Sequence, residues 1–138
     1  AGILVSKVLY TKNITGKKFV IIDAGMNDMM RTALYDAHHE IVPIHEPSDR
    51  TNNMIYDVVG PVCETGDTFA RECSLTAMED GDLVAFRSAG AYGAVMASEY
   101  NSRPLIPEVL VKSEKFAIIR PRPTLEELIN RDKLPPWL

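Results

Sequence analysis

The chain has 138 residues, 46% hydrophobic and 25% charged, and its 15 Lys and Arg against 19 Asp and Glu give a formal charge of -4. A chain of this size and balance predicts one folded, soluble domain that buries roughly two-thirds of its extended surface, and excludes disordered, collagen-like and fibrous classes. The scattered basic residues predict no nucleic-acid partner, and no apolar run approaches the roughly 20 residues of a bilayer crossing.

Strand signals dominate, so the sequence predicts a mainly β fold, a partly open barrel or sandwich with a few short helices. The first two strands, residues 3–12 and 18–23, flank the polar loop Asn13-Ile14-Thr15-Gly16-Lys17 as a hairpin. The opening Ala1-Gly2-Ile3-Leu4-Val5-Ser6-Lys7 reverses the basic-then-apolar order of a secretory signal, which reads as cytoplasmic, and its start inside a strand fits a piece of a longer chain. After Asp23-Ala24-Gly25-Met26-Asn27 a short helix is expected over residues 29–35, capped by Asn27 or Asp28. Arg31 and Tyr35, at i and i+4, then share a face; they suit joint capture of a carboxylate, or a surface Arg stacked on a Tyr.

The histidines His38, His39 and His45 lack metal-ligand spacing, so no metal site is expected. Strands follow at residues 40–45 and 53–62, with Asp49 and Arg50 read as a solvated loop between them. Val62-Cys63-Glu64-Thr65-Gly66-Asp67 sets a thiol beside a carboxylate at a strand end where a ligand can reach both. A buried small hydrophobe beside a solvated Glu fits the same letters. Cys73, within a strand over residues 68–75, is read as core. Two cysteines are too few for a disulfide framework.

Glu79-Asp80-Gly81-Asp82 reads as a tight turn before a strand at residues 83–88. Gly90-Ala91-Tyr92-Gly93 then allows a sharp turn whose amides and phenol face a phosphate or ring; a plain turn with a packed aromatic is the alternative. A helix over residues 94–100, one long strand over 109–119 and a final helix over about 125–131, with the capping box Thr124-Leu125-Glu126-Glu127, complete the reading. Pro135-Pro136 stops that helix. Alternation predicts Val5, Ile21, Val58, Val84, Phe86 and Ile118 in the core.

Together, Ala33-Leu34-Tyr35-Asp36-Ala37, Cys63-Glu64-Thr65-Gly66-Asp67 and Gly90-Ala91-Tyr92-Gly93, in this order, resemble the C-terminal domain of the diaminopimelate decarboxylases, in the group that includes alanine racemase and ornithine decarboxylase. The resemblance implies that residues 1–138 are the β-domain of a two-domain, homodimeric enzyme that uses pyridoxal 5'-phosphate to convert meso-2,6-diaminopimelate to L-lysine and CO2. A (β/α)₈ barrel absent from this chain, with the cofactor-bonding lysine and phosphate loop, implies that the chain alone is inactive. It further implies Cys63 as proton donor, Arg31, Tyr35 and Glu64 as substrate ligands, Tyr92 as a cofactor contact, and Cys63 and Glu64 reaching the partner subunit's site. The family also completes this domain with a segment from the N-terminal end of the full chain, which implies an unpaired sheet edge here. A stand-alone β-barrel scaffold, or the matching domain of a carboxynorspermidine, arginine or ornithine decarboxylase, stays open beside this reading.

Overall fold

A computed structural model describes residues 2–45 and 52–138. Two compact units divide it, Ala1–Ala97 and Ser98–Leu138. The first holds a six-stranded sheet in the order β3-β6-β1-β2-β4-β5. Its strands are β1 (Leu4–Ile14), β2 (Lys17–Ile22), β3 (Ile41–Pro43), β4 (Asn53–Val59), β5 (Thr68–Thr76) and β6 (Leu83–Phe86), with the helix α1 (Met30–Tyr35) between β2 and β3. The two edge strands approach each other, so the sheet curls into the nearly closed barrel expected of a mainly β chain. The loop holding Asp49 and Arg50 lies outside the described residues.

The expected β1–β2 hairpin forms, turning at Thr15 and Gly16, both at positive φ. Register slips between Val8 and Tyr10, so one extra residue of β1 bulges there and the strand bends. Inside the barrel lie Val8, Val20, Ile22, Val58, Val84 and Phe86, each at most 1% exposed. Phe69 on β5 and Phe86 on β6 meet with ring centroids 5.0 Å apart and planes tilted by 57°. That aromatic pair ties the edge strand β5 to β6, the neighbour of the other edge strand β3.

Ile21, Val58, Val84 and Phe86 are buried as expected, but Val5 is not. The inward residues of β1 are Leu4, Ser6 and Val8, which turns Val5 to solvent. Ser6 explains the reversal: its hydroxyl donates to Asp23 Oδ1 (2.6 Å) and accepts from the Ala24 N–H (3.0 Å). A polar side chain with both partners built in sits inside without penalty and inverts the apparent phase of the strand.

The second unit contains the hairpin β7 (Glu108–Lys112) and β8 (Lys115–Arg120) and the helix α2 (Leu125–Ile129). The single strand expected over residues 109–119 is therefore two, reversing at Ser113, where φ is 54°. Ile118, expected in the core, is exposed together with Leu110, Val111 and Phe116. Two strands alone cannot bury either of their faces. α2 carries the expected capping box: the Thr124 hydroxyl accepts from the Glu127 N–H, and the Glu127 carboxylate accepts from the Thr124 N–H. The helix expected over residues 94–100 is instead two 3₁₀ turns, Ala94–Met96 and Tyr100–Ser102. Ala97, extended at φ -61° and ψ 146°, ends the first turn before the second begins.

Candidate active site

The direction of three strands decides where the sequence motifs meet. β1 is antiparallel to both β2 and β6, while β2 and β4 run parallel. β2, β4 and β6 therefore point the same way, and their C-terminal ends open onto one end of the barrel. From β2 comes the turn of residues 23–28 leading into α1; from β4 comes the loop of residues 60–67; from β6 comes the turn of residues 88–93. Motifs far apart in sequence are delivered to the same rim by strand polarity alone.

The turn after β2 is fixed at several points. Asp23 Oδ1 accepts from the Ser6 hydroxyl and from the Lys7 N–H (2.8 Å), and Asp28 Oδ2 accepts from the Gly25 N–H (2.8 Å). Asp28 thus closes the turn ahead of α1 instead of capping the helix, whose N-cap position is Met29 with no side-chain cap bond. The helix ends at Asp36, in the left-handed region at φ 52°. Arg31 is half-buried and Tyr35 is exposed. Their i,i+4 spacing within one helix puts both on a common face. Among the described residues Arg31 has no ion-pair partner, so its planar fork is available to an anion from outside.

The loop after β4 folds back on itself around Asp67. The Glu64 N–H donates to the Val62 carbonyl (2.8 Å) and the Asp67 N–H to the Glu64 carbonyl (3.1 Å), while the Gly60 N–H donates to the Asp67 carbonyl (2.9 Å). These bonds leave Cys63 and Glu64 exposed at the tip. Cys63 follows β4 by several residues, because the strand ends at Val59 and not at residue 62. Cys73 differs: it is half-buried on β5, and that burial raises its thiol pKa above the usual range.

The turn after β6 is equally constrained. Tyr92 adopts φ 58° with its side chain 65% exposed, and a Cβ on Gly93 would lie 1.9 Å from the Ala89 carbonyl oxygen. Gly2 serves the same close approach, since its Cβ would fall 2.7 Å from Gly90 Cα, and its carbonyl accepts from the Ala89 N–H. Both glycines let backbone pass against backbone.

Asp67 is the residue that the sequence motif contained without revealing its task. It is 2% exposed; Oδ1 accepts from the Met26 N–H and Oδ2 from the Val62 N–H, each at 2.6 Å. Its first bond joins the Cys63–Glu64 loop to the turn that carries α1, across 41 positions of sequence. Local spacing holds no signal for such a bond.

A concavity of about 1250 Å³ lies beside α1 between the edge strands β3 and β5. Its lining includes Thr32, His39 and Gly66 but none of Arg31, Tyr35, Cys63, Glu64 or Tyr92. The five candidate residues instead lie on the segments that follow β2, β4 and β6. His39 is buried and its Nδ1 donates to the Arg87 carbonyl (3.0 Å), and among the described residues no set of three His, Cys, Asp or Glu is arranged for a metal. No helix among the described residues is long and apolar enough to cross a membrane.

Residues 1–90 match the family model of the pyridoxal-dependent decarboxylase C-terminal sheet domain, and the chain belongs to this family. Within it, the chain is similar to diaminopimelate decarboxylases. It is 52% identical over 138 residues to the enzyme of Zymomonas mobilis, covering 100% of this chain and 32% of that one. With the Haemophilus influenzae enzyme it shares 52% over 128 residues, 93% of this chain and 30% of that protein. The crystal structure of the diaminopimelate decarboxylase of M. jannaschii in complex with L-lysine superposes with a TM-score of 0.90 at 39% identity, over 99% of this chain and 31% of that one. The chain thus spans about a third of the length of the relatives it matches.

Proposed function

We propose that residues 1–138 form the C-terminal β-domain of a two-domain diaminopimelate decarboxylase, which removes CO2 from meso-2,6-diaminopimelate and leaves L-lysine. The observation that supports this reading is the shared polarity of β2, β4 and β6, whose following segments carry a cation, a carboxylate, a thiol and two phenols. All but Arg31 are exposed there. A rim of exposed reactive groups on braced turns is half of an active site, and a second body must close over it to exclude water.

Tyr92 fits the edge of the family's cofactor: its phenol is exposed on a turn with no slack, suited to a phosphate oxygen. Pyridoxal 5'-phosphate, when bound, supplies the electron sink that lets an amino acid lose CO2. The remaining work falls to this chain's own side chains. Arg31 and Tyr35 grip the substrate's distal carboxylate, and Glu64 takes the distal ammonium. The Cys63 S–H gives its proton to the carbon that has lost CO2, and the exposed thiolate regains one from solvent.

In this reading the enzyme is a homodimer in which Cys63 and Glu64 serve the partner subunit's site. It works in the cytoplasm, where free thiols such as Cys63 and Cys73 stay reduced. The gap between β3 and β5 suits a segment supplied by the remainder of the full-length enzyme. The test is to join the chain to its barrel domain and assay lysine formation from meso-diaminopimelate. Turnover is expected from the joined protein and none from residues 1–138 alone; a joined, folded protein that binds the cofactor but does not act on diaminopimelate would overturn the reading.

A further inference from the structure

The loop bearing Cys63 and Glu64 has no strand pairing between Gly60 and Asp67. We propose that Asp67 is the positioning residue of this site, its buried carboxylate fixing where the Cys63 thiol stands relative to the turn that leads into the Arg31 helix. The inference rests on the reading of Cys63 as proton donor and names what holds it.

Both carboxylate oxygens are committed, one to the Met26 N–H and one to the Val62 N–H, at the short 2.6 Å of charge-assisted bonds. The carboxylate also presses on Gly60: a Cβ there would lie 2.3 Å from each of its oxygens. The two ends of the bridge are not equally secure. The turn of residues 23–28 is held independently by Asp28, Asp23 and Ser6. The tip of the other loop is held by its own backbone bonds and by the bond of the Val62 N–H to Asp67. Breaking the bridge therefore unties the Cys63 loop from the turn ahead of Arg31, while that turn keeps its own bonds.

Asp67→Asn is the direct probe, because an amide can present only one acceptor oxygen to two donors and must set its NH₂ against the other. Gly60→Ala reaches the same bridge by steric pressure with the charge kept, and covers the case in which Asp67→Asn fails to fold. In the full-length enzyme each should lower kcat about tenfold or more, since misplacement by about 1 Å can cost about a hundredfold. Acting through the thiol, Asp67→Asn should add no loss to Cys63→Ala, so the double variant turns over no more slowly than Cys63→Ala alone. Backbone amide exchange is the second readout: Val62 and Met26 should exchange faster in both variants while β1 keeps its protection. Losses that multiply in the double variant, or unchanged protection at Val62 and Met26, would overturn the proposal. If Cys63→Ala proves fully active, the proton-donor reading fails, and exchange alone decides for Asp67: selective loss of protection at Val62 and Met26 supports it and its absence refutes it.

Discussion

Truncating Arg31 to alanine in the full-length enzyme removes the cation proposed to face the substrate's distal carboxylate. Loss of a buried charge partner costs on the order of 2 to 5 kcal/mol, and here it should appear mainly as a raised KM for diaminopimelate. Cys63→Ala should behave differently, lowering kcat with little change in KM, because the thiol acts after the bond to CO2 has broken. Steady-state kinetics of the two variants side by side checks both. A shared pattern, with both variants raising KM alone, would remove Cys63 from the proton transfer. Residue identities at this rim were readable because each sits in a short string with its own chemistry. The bracing was not, since Asp67 and Met26, or Ser6 and Asp23, meet only after strands from distant segments have paired.

Among the elements, Asp57 shows how one side chain can join three strands. It lies on β4, pairs with Lys17 at the start of β2 (2.7 Å) and accepts from the Glu72 N–H of β5 (2.9 Å), where φ of 51° marks an irregular strand. Burial raises its pKa, but the bond and charge of Lys17, the Glu72 amide and nearby Arg71 together outweigh that and hold it below the usual carboxylate range. A carboxyl depressed in the folded state contributes stability that is fully present above about pH 4, its unfolded value, and is lost as pH falls through the folded value. Urea midpoints measured from pH 6 downward should fall below about pH 4 in the wild type and fall less in Asp57→Asn. At the far end of the chain, Thr124→Ala should remove the cap of α2 and cost about 1 kcal/mol of local stability, visible as faster exchange at Glu127. That box was legible because both of its halves lie within one turn. The β7–β8 reversal was hidden, because Lys112-Ser113-Glu114-Lys115 contains no Gly, Pro or Asn to announce it. The phase of β1 was obscured by a polar residue on its inner face.

For the whole molecule, the proposed sharing of sites between subunits has a numerical signature. A mixed dimer of Arg31→Ala and Cys63→Ala chains holds one site with both lesions and one with neither. Random exchange makes half of the dimers mixed, so at a diaminopimelate concentration well below the raised KM of Arg31→Ala, where both homodimers turn over little, mixing should recover up to about a quarter of wild-type activity. No recovery after demonstrated exchange would return Cys63 to its own subunit's site.

The parallel pairing of β2 with β4 bears on how the molecule reaches this state. The β1–β2 and β4–β5 hairpins close between neighbours in the chain, whereas β2 meets β4 only after residues 23–52, with α1 and β3 among them, have been laid down. Closing so long an excursion restricts the chain before any contact rewards it, and nonlocal β pairings of this kind set slow folding rates. In a refolding time course the amides of the two hairpins should gain protection first and that of Met26, which bridges the turn after β2 to the loop after β4, afterwards. The loops after β2 and β4 would then be brought together in the same event that joins the two hairpins, and a molecule with its hairpins formed but that pairing unmade would have most of its strands and none of its site.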